Sequence, residues 1–472
     1  MPTIRCRNIA TRNRCIALYP GAFRPPHAAH LTAVRDLAER PEVDEVIVII
    51  SNRCRGIPGT TQALDPGVAR DIWSVYLEGN PKVRVEIAPH TSVKHALTYF
   101  DRAKKGDTLL FCIGAEDFKS GDERFKDIGA FEKQTGVSAH LIPAPTGEMT
   151  IRATALRATL ARGEAGREAF CAALPTTLSE AQRARVWRVC REGMREISEI
   201  IQEKVRTVLM NHNLGDIEKI TSARDGKLDP VYRVRFKDGR RYFVKYAGDT
   251  VTPGTLGERF SLKPKRRLST ERRALNRLKE KGVNEVDLPE VVLFDKATLT
   301  LVLTEVCPGG KSLQENLKAG IFDPAVAGKA ARFLARCHTL PAPIKPVWGE
   351  HETDLRHWKE MLALRTVNMA KNGLPKTIQG QLERLCDESH QAAQKKDPHR
   401  LLILDCVPKN ILLSEGAIGF IDFELSSSIG DPAYDLGLLL GHYILWGLIT
   451  TPGTSGQKSL KEALHAYRQH VG

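Results

Sequence analysis

Cysteine is sparse, with ten in 472 residues, far below the density at which disulfides take over from a hydrophobic core. No C-x-x-C occurs and no Cys/His pair has zinc spacing, which excludes dithiol redox and structural-zinc motifs. The thiols are therefore expected to be reduced, in a cytoplasmic protein. Long apolar runs are missing too. The longest, from Leu436 to Ile449, is interrupted by His442 and falls short of the roughly 20 residues of a bilayer span, so a buried helix is expected there. Acid is the minority charge, with 56 Asp and Glu against 70 Lys and Arg and a net charge of +14. That imbalance implies an anionic partner: nucleic acid, a membrane surface or nucleotide phosphates. Residues 1–14 hold Arg5, Arg7, Arg12 and Arg14 without an acid or an amphipathic pattern, and read as a basic tail rather than a transit peptide. The composition that remains, 42% hydrophobic and 27% charged, excludes global disorder. Its length predicts two or three domains.

The first half alternates between strand-like and helix-like texture. Cys15–Tyr19, Val43–Ser51 (VDEVIVIIS), Lys82–Ile87, Thr108–Ile113 and Ala139–Pro143 read as strands. Helix-like stretches lie between them at His27–Glu39, Asp65–Leu77 and Val93–Ala103. This succession predicts an α/β domain over 1–178, a doubly wound parallel sheet with helices on both faces. Ligands of such sheets sit at the carboxyl ends of the strands, in the loops after Tyr19, Ile50 and Ile113. Residues 179–214 read as a charged helical connector packed on one or both neighbours. From 215 to 472 short alternating strands come first, with a hairpin turn at Lys237-Asp238-Gly239, and helices follow. That order predicts an α+β fold of two lobes.

In the first domain, Tyr19-Pro-Gly-Ala-Phe-Arg-Pro-Pro-His-Ala-Ala-His30 sets a glycine turn and two histidines between a strand and a helix. Gly21 permits close backbone approach to phosphate, and the amides around Ala22 and Phe23 can donate to it. His27 and His30, three apart at a helix N-terminus, share one face where anions are favoured. Arg53 and Arg55 follow the second strand, as clamps for a phosphorylated acceptor or as ordinary solvated loop arginines. Gly114 ends another strand, beside Asp117. The stretch resembles the H-x-G-H nucleotidyltransferases, more closely their adenylyltransferase branch, through Gly21, Phe23, Pro25, His27 and His30. Ala29 replaces the family glycine. A second signature, I-S-x-T-x-x-R, is similar to Ile151-Arg-Ala-Thr154-Ala-Leu-Arg157, with Arg152 for the serine. The resemblance implies a Rossmann-like fold, with Thr154 on the phosphates, Arg157 on the departing pyrophosphate and the Gly114 loop at the base. ATP is favoured over CTP as nucleotidyl donor.

In the second domain, Leu402-Ile-Leu-Asp405 is followed by Asn410 five positions after the aspartate and by Asp422-Phe423 seventeen after it. Gly430-Asp431-Pro-Ala-Tyr-Asp435-Leu comes next. These spacings suit a catalytic loop followed by a metal-binding D-F motif. The set resembles the aminoglycoside phosphotransferase and choline kinase family. It implies that Asp405 orients or deprotonates a substrate hydroxyl, Asn410 and Asp422 hold Mg2+, and Asp431 and Asp435 brace the lower lobe. Ile403 stands where the family has histidine. Lys245 at the end of an apolar strand is the expected phosphate-binding lysine, with Glu271 as its ion-pair partner. Leu301–Glu305 is the expected adenine-reading hinge, and Arg224–Tyr232 the nucleotide-covering turn. The basic run Lys263–Arg267 (KPKRR) reads as a solvated loop, or as a contact to an anionic partner.

Two phosphate-handling domains suggest consecutive steps, in which a small-molecule alcohol is phosphorylated with ATP and the phosphomonoester then accepts a nucleotidyl group. Two uncoupled activities, an antibiotic or metabolite kinase beside an adenylyltransferase, are the alternative. A regulatory kinase-like module is a third reading. Partners are nucleoside triphosphates and a hydroxyl-bearing small molecule; nucleic acid and a membrane span are not expected.

Overall fold

The run Glu45–Ile50 is buried along almost its whole length, Val46 through Ile50 showing no accessible surface, as a strand covered on both faces must be. Its side chains divide by parity. Val46, Val48 and Ile50 enter one core with Leu31, Val34, Ile72 and Trp73, whereas Ile47 and Ile49 enter another with Tyr99, Phe100, Phe111 and Phe125. Two cores on opposite faces of one sheet follow directly from the period-2 alternation of a strand.

The computed structural model describes residues 13–89, 91–120, 123–145, 153–223, 230–248, 264–340, 356–359, 361, 375–394, 400–450 and 455–471. They fall into two compact units, divided between Lys204 and Val205.

The first unit holds β1 (Cys15–Gly21), β2 (Glu45–Ile50), β3 (Arg55–Gly56), β4 (Gln62–Leu64), β5 (Val83–Ile87), β6 (Thr108–Ile113), β7 (Ser138–Pro143) and β8 (Met194–Glu196). Five of these form an all-parallel sheet in the order β5-β2-β1-β6-β7. The order reverses between β1 and β6, so the crevice that such sheets offer to ligands opens at their carboxyl ends, where Gly21 and Gly114 lie. Helix Ala28–Glu39 follows β1. Helix Pro66–Tyr76 is started by Asp65, whose carboxylate accepts from Gly67 N (2.7 Å) and Val68 N (3.3 Å), with Pro66 at its first position.

The stretch expected to be one helical connector is broken. Helix Glu180–Glu192 buries Val186, Trp187 and Cys190 in the first unit's core. The chain then forms β8, paired with β4, before helix Ile197–Asn211. Gly193 makes the break possible, since a Cβ there would lie 2.3 Å from Val68 Cγ2. Only glycine lets the chain approach helix Pro66–Tyr76 that closely.

After the end of helix Ile197–Asn211, the second unit holds β9 (Ile217–Ser222), β10 (Val231–Phe236), β11 (Arg241–Tyr246), β12 (Val291–Asp295) and β13 (Thr300–Thr304). They make an antiparallel sheet ordered β12-β13-β11-β10-β9, with helix Pro264–Glu280 between β11 and β12 in sequence. The rest of the unit holds a small sheet of β14 (Lys311–Ser312), β15 (Ile411–Ser414) and β16 (Ala417–Phe420) and helices Pro324–His338, Lys376–Gln394, Pro432–Thr450 and Ser455–Val471. Phe333, Leu334, Leu402, Phe420 and Phe423 share its core.

The apolar run Leu436–Ile449 is helical but not buried all round. Leu439 and Tyr443 face the core, while Ile444, Leu445, Leu448 and Ile449 are exposed. A helix apolar on every face needs partners on every face, and among the described residues only one side has them. No helix among those residues is long and apolar enough to cross a membrane.

Candidate active sites

At the end of β1 the backbone turns through Gly21 and Ala22 into Phe23, which adopts φ 52° and folds its ring back over Gly21. A Cβ on Gly21 would sit 2.4 Å from that ring. Phe23 is buried against Tyr19, His30 and Trp73, so its side chain is a packing element of the corner. Arg24, also buried, donates to the Ser51 carbonyl at the end of β2. His27 caps helix Ala28–Glu39 and its ring stacks on His30, centroids 3.7 Å apart. The His27 N–H donates to His30 Nδ1 (3.2 Å), which leaves Nε2 as the protonated nitrogen of a neutral ring. Burial pushes His27 down to about 4. Burial, then the His27 neighbour, holds His30 well below the usual histidine range. Both imidazoles are neutral at pH 7.

Helix Ala153–Leu160 brings the second signature to this corner. Arg157 donates to the Arg24 carbonyl (2.6 Å), the Gly56 carbonyl (3.0 Å) and Thr154 Oγ1 (3.1 Å). Burial, with the nearby Arg55 charge, lowers its pKa. His27, His30, Thr154, Arg157 and Arg55 are thus gathered around the carboxyl ends of β1 and β2. Gly114 ends the adjacent β6, before the short helix Ala115–Ser120. Arg53 stays at the surface. Ile151 and Arg152 lie outside the described residues.

In the second unit, β11 delivers Lys245 into the interior. Its ammonium meets Glu271 Oε2 at 2.7 Å and Asp422 Oδ1 at 2.8 Å. Glu271, from helix Pro264–Glu280, also accepts the Phe423 N–H at 3.3 Å. Burial would depress Lys245, but the Asp422 and Glu271 carboxylates overcome it and hold the ammonium charged, well above its ordinary value. For Asp422 burial is likewise outweighed by Lys245, and its pKa is lowered. Glu424 faces Arg267 at 3.7 Å, a longer contact than those of Lys245. Burial, with the Asp422 charge beside it, raises it to about 8. Carboxylate oxygens of Glu271, Asp422 and Glu424 lie within 4.8 Å of one another, a hard-oxygen set of the kind Mg2+ takes. Asn410 Nδ2 donates to Asp405 Oδ2 (2.9 Å) and to the Asp405 carbonyl (3.0 Å). The Ile421 N–H donates to the Asn410 carbonyl (3.0 Å). The Asp405–Asn410 loop and the Asp422–Phe423 loop are therefore stitched together beside Lys245.

A family model described as the phosphotransferase enzyme family matches residues 219–467, more than half of the chain. The chain belongs to that family. Solved structures with similarity include macrolide 2′-phosphotransferase MphH from Brachybacterium faecium, at 17% identity over 57% of this chain and 83% of that one, TM-score 0.36. An amicoumacin kinase determined with AMP-PNP and Ca2+ matches at 18% over 56% and 77%, TM-score 0.35. A streptomycin–ATP complex of an aminoglycoside phosphotransferase matches at 14% over 56% and 85%, TM-score 0.30. No curated protein matches.

Within this phosphotransferase unit, Glu305 follows β13 as expected of a hinge. Its carboxylate turns toward Arg233 (3.3 Å) and Arg241 (3.7 Å) of the sheet. Residues 224–229 of the expected nucleotide-covering turn, and Lys263, lie outside the described residues. Sequence reasoning missed Arg267. It ends the KPKRR run, yet its side chain is only 3% exposed and faces Glu424 at 3.7 Å. Arg267 and Glu271 are four apart on one helix, and that spacing on one face was the available signal. Asp435 was expected as a brace; it is fully buried and accepts the backbone N–H groups of Ile403 and Leu404, both at 2.7 Å.

Proposed function

We propose that the chain is a bifunctional enzyme, organised as a nucleotidyltransferase over 1–178, a connector over 179–214 and a small-molecule kinase over 215–472. The observation that carries the kinase half is the buried Lys245–Glu271–Asp422 cluster beside the Asp405–Asn410 loop. Lys245 neutralises nucleotide phosphates, and Asp405 accepts the proton of the acceptor hydroxyl as its oxygen attacks the γ-phosphorus of ATP. Asp422 and Asn410 would hold Mg2+, which supplies charge neutralisation on the polyphosphate.

In the first half, the neutral imidazoles of His27 and His30 donate to the α-phosphate of the incoming nucleotide at the helix N-terminus. Thr154 and Arg157 receive the departing pyrophosphate. Arg55, with Arg53 at the loop surface, meets the phosphorylated acceptor. The kinase product is the phosphomonoester that attacks there, so the two reactions run in sequence, with ATP ahead of CTP as nucleotidyl donor.

Supplying the full chain with MgATP, MgCTP and a pool of small alcohols tests this by mass spectrometry. The expected sequence is a gain of phosphate, then of nucleotide, with ADP and pyrophosphate both released. ADP release without pyrophosphate from any nucleotide would refute the coupled reading.

A further inference from the structure

Ile403 deprives the catalytic loop of the imidazole that the family resemblance places two residues before Asp405. The loop is held from behind instead. Asp435 takes the N–H groups of Ile403 on Oδ2 and Leu404 on Oδ1, each at 2.7 Å. Leu404 has φ 60°, a left-handed backbone that is strained for a leucine and survives only where its surroundings over-determine it. The next residue is Asp405, so whatever fixes Leu404 fixes the direction from which Asp405 enters the site.

Asp435 is itself positioned. His338 Nε2 lies 3.2 Å from Asp435 Oδ2, and the Tyr467 hydroxyl lies 2.7 Å from His338 Nδ1. The His338 side chain is 1% exposed and that of Asp435 is fully buried. In a neutral imidazole facing a carboxylate, Nε2 carries the proton and Nδ1 accepts from the tyrosine. Burial raises the Tyr467 phenol to about 12, which keeps it a donor throughout the neutral range. The donations all run one way, from the last helix, Ser455–Val471, to the carboxylate beneath the catalytic loop. Without the tyrosine, the His338 ring loses the bond that fixes its rotation and Asp435 loses a directed donor.

We propose that Tyr467, acting through His338 and Asp435, is a positioning residue for phosphoryl transfer that holds the Ile403–Asp405 backbone in its productive conformation. This rests on the reading of Asp405 as the group that receives the acceptor proton. The test uses full-length Tyr467→Phe, with Gln469→Ala on the same helix as control. Amide hydrogen exchange is followed at Ile403 and Leu404, together with ADP release from MgATP with water as acceptor. Losing one buried hydrogen bond should speed exchange at the two amides about 5-fold or more and lower kcat by a similar factor. KM for MgATP should stay within about 2-fold of wild type, and the control should change neither. Unchanged exchange at Ile403 and Leu404 overturns the proposal. So does acceleration spread evenly along helix Ser455–Val471, or a rise in KM with kcat unaltered. Should exchange respond while the wild type releases no ADP, the relay stands and the phosphotransfer reading of Asp405 fails.

Discussion

Replacing Lys245 by methionine removes the cation between two buried acids and leaves Glu271, Asp422 and Glu424 with oxygens within 4.8 Å of one another. Breaking a buried pair costs roughly 3–5 kcal/mol when the remaining charge must stay. A carboxylate can escape by taking up a proton, so the cost is capped by protonation. From the ordinary Glu value of 4.5, that cap at pH 7 is about 3.4 kcal/mol, and at pH 5.5 about 1.4 kcal/mol. For a unit of this size each kcal/mol moves Tm by roughly 2–4 °C. Lys245→Met should therefore lower the Tm of the phosphotransferase transition by about 7–14 °C at pH 7 and about 3–6 °C at pH 5.5. Differential scanning calorimetry of the full chain at both pH values, with wild type alongside, reads this directly. A deficit that does not shrink with pH would refute the reasoning, because the acids would then not be the source of the instability. A deficit below about 2 °C at pH 7 would show that Lys245 carries no buried charge partner worth about 1 kcal/mol.

Asp405→Asn should cut kcat for ADP release by about 10²–10⁴ while MgATP still raises Tm, since the loop keeps its Asp435 anchors and loses only the proton acceptor. In the first unit the half-buried imidazoles make stability acid-sensitive. A His27 with folded pKa about 4 against 6.5 unfolded contributes stability that is complete above 6.5 and lost as pH falls toward 4. Lowering pH from 7.5 to 5 should cost about 2 kcal/mol through that group, and denaturant midpoints should show His27→Asn losing that part of the slope. Arg157→Met breaks bonds to the Arg24 and Gly56 carbonyls. It should abolish pyrophosphate release and cost about 1–3 kcal/mol in the first unit, leaving ADP release intact; loss of both products together would contradict the assignment.

Much of this was legible in the sequence where chemistry is local. The β-branched run Val43–Ser51 suited a buried parallel strand, and β2 lies within it; the spacing of Asp405, Asn410 and Asp422 suited neighbouring loops. What escaped depends on distant residues. Arg267 sits in a run that composition describes as solvated, and its burial is set by Glu424, 157 positions along the chain. Tyr467 looks like any helix tyrosine until His338, 129 positions away, is placed beside it. The Leu436–Ile449 run showed its helix but not its exposed side, because an apolar residue does not announce whether a partner covers it. The interruption at Gly193 depended on Val68 in another helix. For such residues local spacing names at most a neighbour on the same helix, not the remote segment that buries them.

The order of the parallel sheet bears on how the protein is made. Strand β1 is synthesised first among its members yet ends at the centre, between β2 and β6. Cys15 pairs in register with Thr108, so one flank of β1 stays open until β6 has left the ribosome. At ordinary elongation rates of about 5–20 residues per second, that interval lasts on the order of 5–20 s. For that time the centre of the future sheet is an unpaired apolar edge of the kind that recruits chaperones or neighbouring chains. A nascent chain stalled before Thr108 should therefore be bound by holdases and sensitive to protease, and one extended past Pro143 should be released.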